Sequence, residues 1–148
     1  MFYWQKRTWT CGPAALRIVL HKLKIKKTEE HLARLLDTTR LDGTKNKAFA
    51  KVARHYNLRH VIRSNSSLNE VFDLMQDRFK VIVAYFCPIN NCGHYAVVNK
   101  IGRDYIHLLD PSLGPKIKYK KSYFISLWYS EYEKDKRWFI AFKRRGKL

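Results

Sequence analysis

The amino-acid sequence predicts an α+β fold, on three observations. In the first half, apolar residues recur at the i, i+3, i+4, i+7 spacing of helices. From Phe79 onward, β-branched and aromatic runs alternate with turn residues. No repeat, low-complexity stretch or Gly/Ser linker separates the two parts, so residues 1–148 are expected to form a single domain of helices followed by an antiparallel sheet. At this length a compact chain buries roughly two thirds of its unfolded surface, so a core needs neither disulfide nor metal.

The first helix is predicted from Cys11 or Gly12 to Leu23, with Leu16, Val19, Leu20 and Leu23 on one face. Pro13 falls in its first turn, where a missing N–H costs nothing. A second helix is expected over Thr28 to Leu36, with Glu29 and Glu30 in the first turn, where the helix dipole favours anions. Asp42-Gly43 marks a turn. A third helix, Lys45 to Tyr56, repeats Phe49, Val52, Ala53 and Tyr56 as a buried stripe. Ser67 with Glu70 reads as a capping box opening a fourth, Leu68 to Asp77. Strands are then predicted over Phe79 to Phe86, His94 to Ile101, Asp104 to Leu109, Lys116 to Tyr119 and Arg137 to Lys143, with a short helix near Tyr123 to Tyr129.

Composition narrows the function classes. Thirty Lys and Arg against 12 Asp and Glu give a net charge of +18, while 46% hydrophobic and 14% aromatic residues exclude a disordered chain. Such a field attracts acidic peptides, nucleic acid and anionic lipid alike, so it names no single partner. Basic runs at His21 to Lys27, Lys116 to Lys121 and Lys143 to Lys147 carry no recognised nucleic-acid module. Nucleic-acid binding is therefore expected only as non-specific, salt-sensitive attraction. The longest apolar run, Val81 to Cys87, is far short of the ~18 to 20 residues that span a bilayer, so no membrane span is expected. Three cysteines without framework spacing point to a reducing compartment, and no signal peptide is legible, so the expected location is cytoplasmic.

Four residues are candidates for chemistry. Cys11 stands at a helix start, where unpaired N–H groups and the dipole favour thiolate, with a pKa expected to fall to roughly 3.5 to 7.5. A thiolate attacking a carbonyl needs a base, a group that orients the base, and donors for the oxyanion. His94 opens a strand directly after Gly93, Asp110 ends the next strand before Pro111, and Gln5 lies shortly before the cysteine. Cys87, Cys92 and His94 lie close enough in sequence to bring zinc to mind. No fourth ligand is evident at a recognisable spacing, so neither metal nor cofactor is expected.

The set Gln5, Cys11-Gly12-Pro13-Ala14-Ala15-Leu16, Gly43-Thr44, Gly93-His94-Tyr95-Ala96-Val97-Val98, Asp110-Pro111 with Gly114, and the aromatic stretch Tyr123 to Trp128 resembles the bacteriocin-processing, double-glycine-leader cysteine peptidases and their standalone relatives. The resemblance implies a papain-like fold, with the nucleophile at a helix N-terminus packed on a sheet from the second half. It also implies a cysteine-dependent hydrolase cleaving a peptide or related amide bond through a thioester. Cys11 would be nucleophile, His94 base and acid, Asp110 the orienting residue, and Gln5 with the Cys11 N–H the oxyanion hole. Acyl transfer would use the same residues. Transporter-linked members usually carry Asp before the cysteine, where Thr10 stands here, and the chain ends without a membrane or ATP-binding domain. Both points favour a standalone relative. Two other readings are a papain-like domain that binds peptide without cutting it and a basic nucleic-acid-associated protein.

One expectation is geometric. If Ile101-Gly102-Arg103 form a three-residue loop, Lys100 pairs with Asp104, Val98 with Ile106, Ala96 with Leu108 and His94 with Asp110. A one-residue slip would put His94 and Asp110 on opposite faces, so this register, or a bulge restoring it near the catalytic end, is predicted.

Overall fold

The computed structural model describes residues 1–146, so Lys147 of the last basic run lies outside the described residues. Among the described residues, five helices and six strands run in the order α1 (Cys11–Lys22), α2 (Glu29–Leu35), α3 (Ala48–His55), β1 (Arg59–Arg63), α4 (Leu68–Gln76), β2 (Lys80–Cys87), β3 (Cys92–Ile101), β4 (Tyr105–Asp110), β5 (Gly114–Lys120), α5 (Lys121–Leu127) and β6 (Phe139–Lys143). The strands form one antiparallel sheet in the order β1-β6-β2-β3-β4-β5. The α+β class holds. Among the described residues, no helix is long and apolar enough to cross a membrane.

Side-chain alternation divides the core between the two sheet faces. Ile82, Ala84, Tyr95, Val97, Leu109, Ile140 and Phe142 face α1, α2 and α3. Val81, Val83, Tyr85, Ala96, Val98, Ile106, Leu108 and Phe139 face α4 and α5. β2 is therefore buried on both sides, which is why its sequence reads as an unbroken apolar run. The charge-dense β5 is an edge strand, where lysines blunt unwanted pairing.

Contrary to the expectation of a sheet built from the second half, the sheet is not confined to it. β1 comes from the helical half and pairs with β6 at the opposite edge. Arg59 and Arg63 at its ends and only partial burial between them leave it no clear alternation to read. Other differences are tertiary in origin. α3 starts at Ala48 rather than Lys45, because Asn46 is buried and tied to Glu133, Ser130, Asp135 and Tyr95. α5 ends at Leu127, because Trp128 turns inward and its indole N–H donates to the Trp138 carbonyl at 2.8 Å. Ser67 caps α4, accepting the Glu70 N–H at 3.1 Å, but the Glu70 carboxylate accepts from the Ser66 hydroxyl instead of closing the box.

The β3–β4 hairpin departs from the expected pairing. Its turn is the two residues Arg103-Asp104, closed by the Gly102 N–H to the Tyr105 carbonyl at 2.9 Å. Ile101 pairs with Ile106 and Lys100 with His107, a register that would set His94 and Asp110 on opposite faces if it continued. A bulge between Val98 and Lys100 inserts one residue into β3, after which Val98 pairs with Leu108 and Val97 with Leu109. The bulge sits in the middle of the strand, not at the catalytic end. It returns His94 and Asp110 to one face, diagonal to each other rather than directly opposite.

Candidate active site

Cys11 is the first residue of α1, delivered by a tight turn in which Thr10 is buried. The Thr10 hydroxyl accepts the Arg7 N–H at 3.0 Å and donates to the Arg7 carbonyl at 2.9 Å, so Thr10 closes this turn and leaves the helix without a side-chain cap. Upstream, the Glu29 carboxylate accepts the Lys6 N–H and the Pro111 carbonyl accepts the Gln5 N–H at 3.0 Å. These two bonds stitch the N-terminal segment between α2 and the turn that follows Asp110.

The glycine after the cysteine is a packing requirement. A Cβ on Gly12 would lie 2.7 Å from Thr44 Cβ, and nearer still to its hydroxyl. Thr44 is itself fixed, its carbonyl accepting from the Tyr95 hydroxyl at 2.8 Å. The Gly43-Thr44 loop, the start of α1 and β3 are thereby locked together. Gly12→Ala should cost about 1 to 3 kcal/mol through overpacking. Urea unfolding would measure this, and adding Thr44→Gly should recover part of the loss. Gly93 is a similar close approach, since a Cβ there would meet Glu131 Cβ at 3.1 Å.

The structure brings His94 and Asp110 together. His94 Nδ1 is 3.0 Å from Asp110 Oδ2, and both residues are buried. The Tyr85 hydroxyl donates to the same carboxylate oxygen, and the Ser112 and Leu113 N–H groups donate to Oδ1 at 2.8 and 3.2 Å. Burial pushes the Asp110 carboxyl up, but His94, Tyr85 and the Ser112 N–H outweigh it and hold the group below the ordinary carboxylate value. With Nδ1–H donating to the aspartate, Nε2 is the basic nitrogen. It lies 3.2 Å from Asn90 Nδ2, which also donates to the Ser112 hydroxyl at 2.9 Å.

Cys11 lies beside the start of β3 but makes no hydrogen bond to His94 among the described residues. Burial pushes its thiol up to about 11, Asp110 and Cys92 push the same way, and the Tyr95 and Gly12 N–H groups oppose them. The expected depression is not found in this resting arrangement, because desolvation of a thiolate outweighs the helix start. The Gln5 amide is turned locally, with Nε2 donating to the Arg7 carbonyl at 2.9 Å and Oε1 buried with no partner among the described residues. One amide N–H remains free.

Tyr85 and Asn90 were not singled out in the sequence. Tyr85 reads there as one more core aromatic in an apolar run, and Asn90 as one of two turn asparagines. Only the fold shows that each touches the His94–Asp110 pair.

The matched family is described as the Peptidase C39 family, over residues 2–132, and the chain belongs to it. Among similar proteins, an uncharacterized protein of Methanothermobacter thermautotrophicus is 32% identical over 120 residues, covering 81% of this chain and 77% of that protein. The peptidase domain of Streptococcus ComA, a bifunctional ABC transporter involved in quorum sensing, superposes with a TM-score of 0.77 at 21% identity over 97% of each chain. A double-glycine-motif protease from an AMS/PCAT transporter, solved with its leader peptide, gives 0.76 at 20% identity, covering 98% of this chain and 91% of the other. These likenesses bear out the papain-like fold and the resemblance read from the sequence.

Proposed function

We propose that residues 1–148 act as a cysteine peptidase domain that cleaves a peptide or related amide bond through a thioester on Cys11. The buried His94–Asp110 pair carries this reading, set beside a helix that begins at Cys11 in a chain of a peptidase family. A resting thiol means that attack and proton transfer go together. As the Cys11 sulfur bonds to the carbonyl carbon, its proton passes to His94 Nε2, and Asn90 yields that nitrogen. Charge collects on the carbonyl oxygen, where the Cys11 N–H and the free Gln5 N–H would stabilise it. Collapse breaks the C–N bond, His94 protonates the leaving amine, and the thioester remains. Water, deprotonated by His94, then releases the acid and restores the thiol. Asp110 keeps the proton on Nδ1 throughout, so Nε2 stays available as base.

The substrate class is a peptide, as for the relative solved with a leader peptide, and the +18 charge would draw acidic segments towards the domain. A reducing, cytoplasmic setting suits the three free cysteines. One test is incubation in 18O-water with peptides that contain or lack a double-glycine motif, read by mass spectrometry. New C-termini carrying the label establish hydrolysis, and acyl-amine products establish transfer. Two observations favour a binding-only alternative: Asn90 contacts Nε2 at rest, and burial raises the Cys11 thiol. In that case peptide binds and no product forms.

Removing the Gln5 donor gives a graded prediction. Gln5→Ala should lower kcat about 100- to 1,000-fold, the loss typical of one oxyanion donor, and change KM much less. Single-turnover kinetics would measure it, and an unchanged rate would make Gln5 a positioning residue for the N-terminal segment only.

A further inference from the structure

We infer that Cys87, His94 and Asp110 form a binding site for a thiophilic divalent ion such as Zn2+, and that an ion held there shuts the peptidase off. The inhibitory half of this inference rests on the reading above; the binding half does not. One ligand atom from each of the three residues lies within 4.8 Å of the other two, and all three residues are buried. Tetrahedral zinc with bonds of about 2.0 to 2.3 Å sets its ligands roughly 3.3 to 3.6 Å apart, so small side-chain adjustments would close the triangle. The sequence offers Cys87, Cys92 and His94 but hides Asp110, which only the β3–β4 pairing brings in.

The chemistry of the set favours a soft dication. A thiolate and a carboxylate cancel the 2+ charge, and a neutral imidazole completes a donor set with no net charge to bury. The ligands are already oriented from behind, as metal ligands commonly are. Asp110 Oδ1 accepts two backbone N–H groups, and Tyr85 holds the carboxylate through its hydroxyl. Tyr119 packs on Tyr85, and its hydroxyl is buried with no hydrogen-bond partner among the described residues, leaving a donor in the same polar cluster. Cys87 has no part in the proposed peptidase chemistry. Cys92 pairs directly with it across β2 and β3.

Binding is balanced by one proton. The Cys87 thiol loses its proton to solvent as sulfur bonds the metal, Asp110 is already ionised, and the imidazole proton moves from Nδ1 to Nε2. A half-turn of the Asn90 amide would then let its oxygen accept from Nε2–H. With Nδ1 on the metal and Nε2 protonated, His94 has no lone pair left for the Cys11 proton, which is why the ion should inhibit.

The test uses the full chain, reduced and under inert gas, titrated with Co2+ as a spectroscopic probe. One equivalent should bring up a thiolate-to-cobalt charge-transfer band, bleached by Zn2+. Cys87→Ala and Cys87→Ser should both lose the band and bind more weakly by over the roughly 10- to 100-fold that loss of an outer-shell partner costs. Cys11→Ser and Cys92→Ser should keep it. In the peptidase assay, Zn2+ should inhibit the unaltered chain, while Cys87→Ala should keep basal activity and resist inhibition. No band, a band that survives in both Cys87 variants, or a band lost in Cys11→Ser overturns the site. A band without any peptidase activity in the metal-free chain keeps the site and removes only the peptidase reading. A Cys87→Ala variant inhibited as strongly as the unaltered chain overturns the inhibitory role.

Discussion

Replacing Cys11 with alanine should abolish turnover, by about 10^6-fold if the loss matches that of a nucleophile removed from a comparable catalytic unit. The effect is large because no other group can form the thioester. Cys87 points to the face opposite α1, and Cys92 is its cross-strand partner. The fold should survive, since Cys11 is only half-buried and alanine suits the first turn of a helix. Activity should vanish while the urea midpoint stays close to that of the parent chain. Retained cleavage would transfer the nucleophile's role elsewhere.

Asp110→Asn is the second large effect, expected at about 10^4-fold in kcat with the shape of the site preserved. Its cause is the tautomer. The Ser112 and Leu113 N–H groups hold the amide oxygen at the Oδ1 position, so the amide nitrogen faces His94 Nδ1. Two N–H groups cannot point at each other, so the imidazole proton moves to Nε2 and the base is lost. The same variant should alter acid stability. Because Asp110 is held below the ordinary carboxylate value in the fold, its charge stabilises the protein above that value, and the contribution is lost as pH falls through the lower folded-state value. Urea unfolding across that range should therefore show a shallower acid loss in Asp110→Asn than in the parent chain, from a lower starting stability at neutral pH.

Much of this was legible in the chain. Periodicity located α1, α2 and α4 to within a residue or two, because an apolar stripe and a capping hydroxyl are local signals. The His94 and Asp110 pairing was also anticipated, though the route to it was not. The expected three-residue loop is a two-residue turn, and a bulge near Asn99 restores the shared face. A bulge answers to packing on both sides of β3, and no local spacing encodes it. β1 was missed because two arginines flank a half-buried core of three residues that gains its pairing only from β6. The Cys11 thiol shows the same limit: a helix start can be read from sequence, but the burial that desolvates the thiol exists only once the chain is folded.

The central claim is that Cys11 reacts by handing its proton to His94. The most direct measurement is the rate of Cys11 alkylation by a small neutral electrophile against pH, resolved by peptide mass spectrometry, in the parent chain and in His94→Ala. The account predicts that the parent chain shows a His94-dependent reaction well below the climb towards the thiol value of about 11, and that His94→Ala removes it, leaving only that climb. A parent profile that follows the thiol alone and is unchanged by His94→Ala would contradict it.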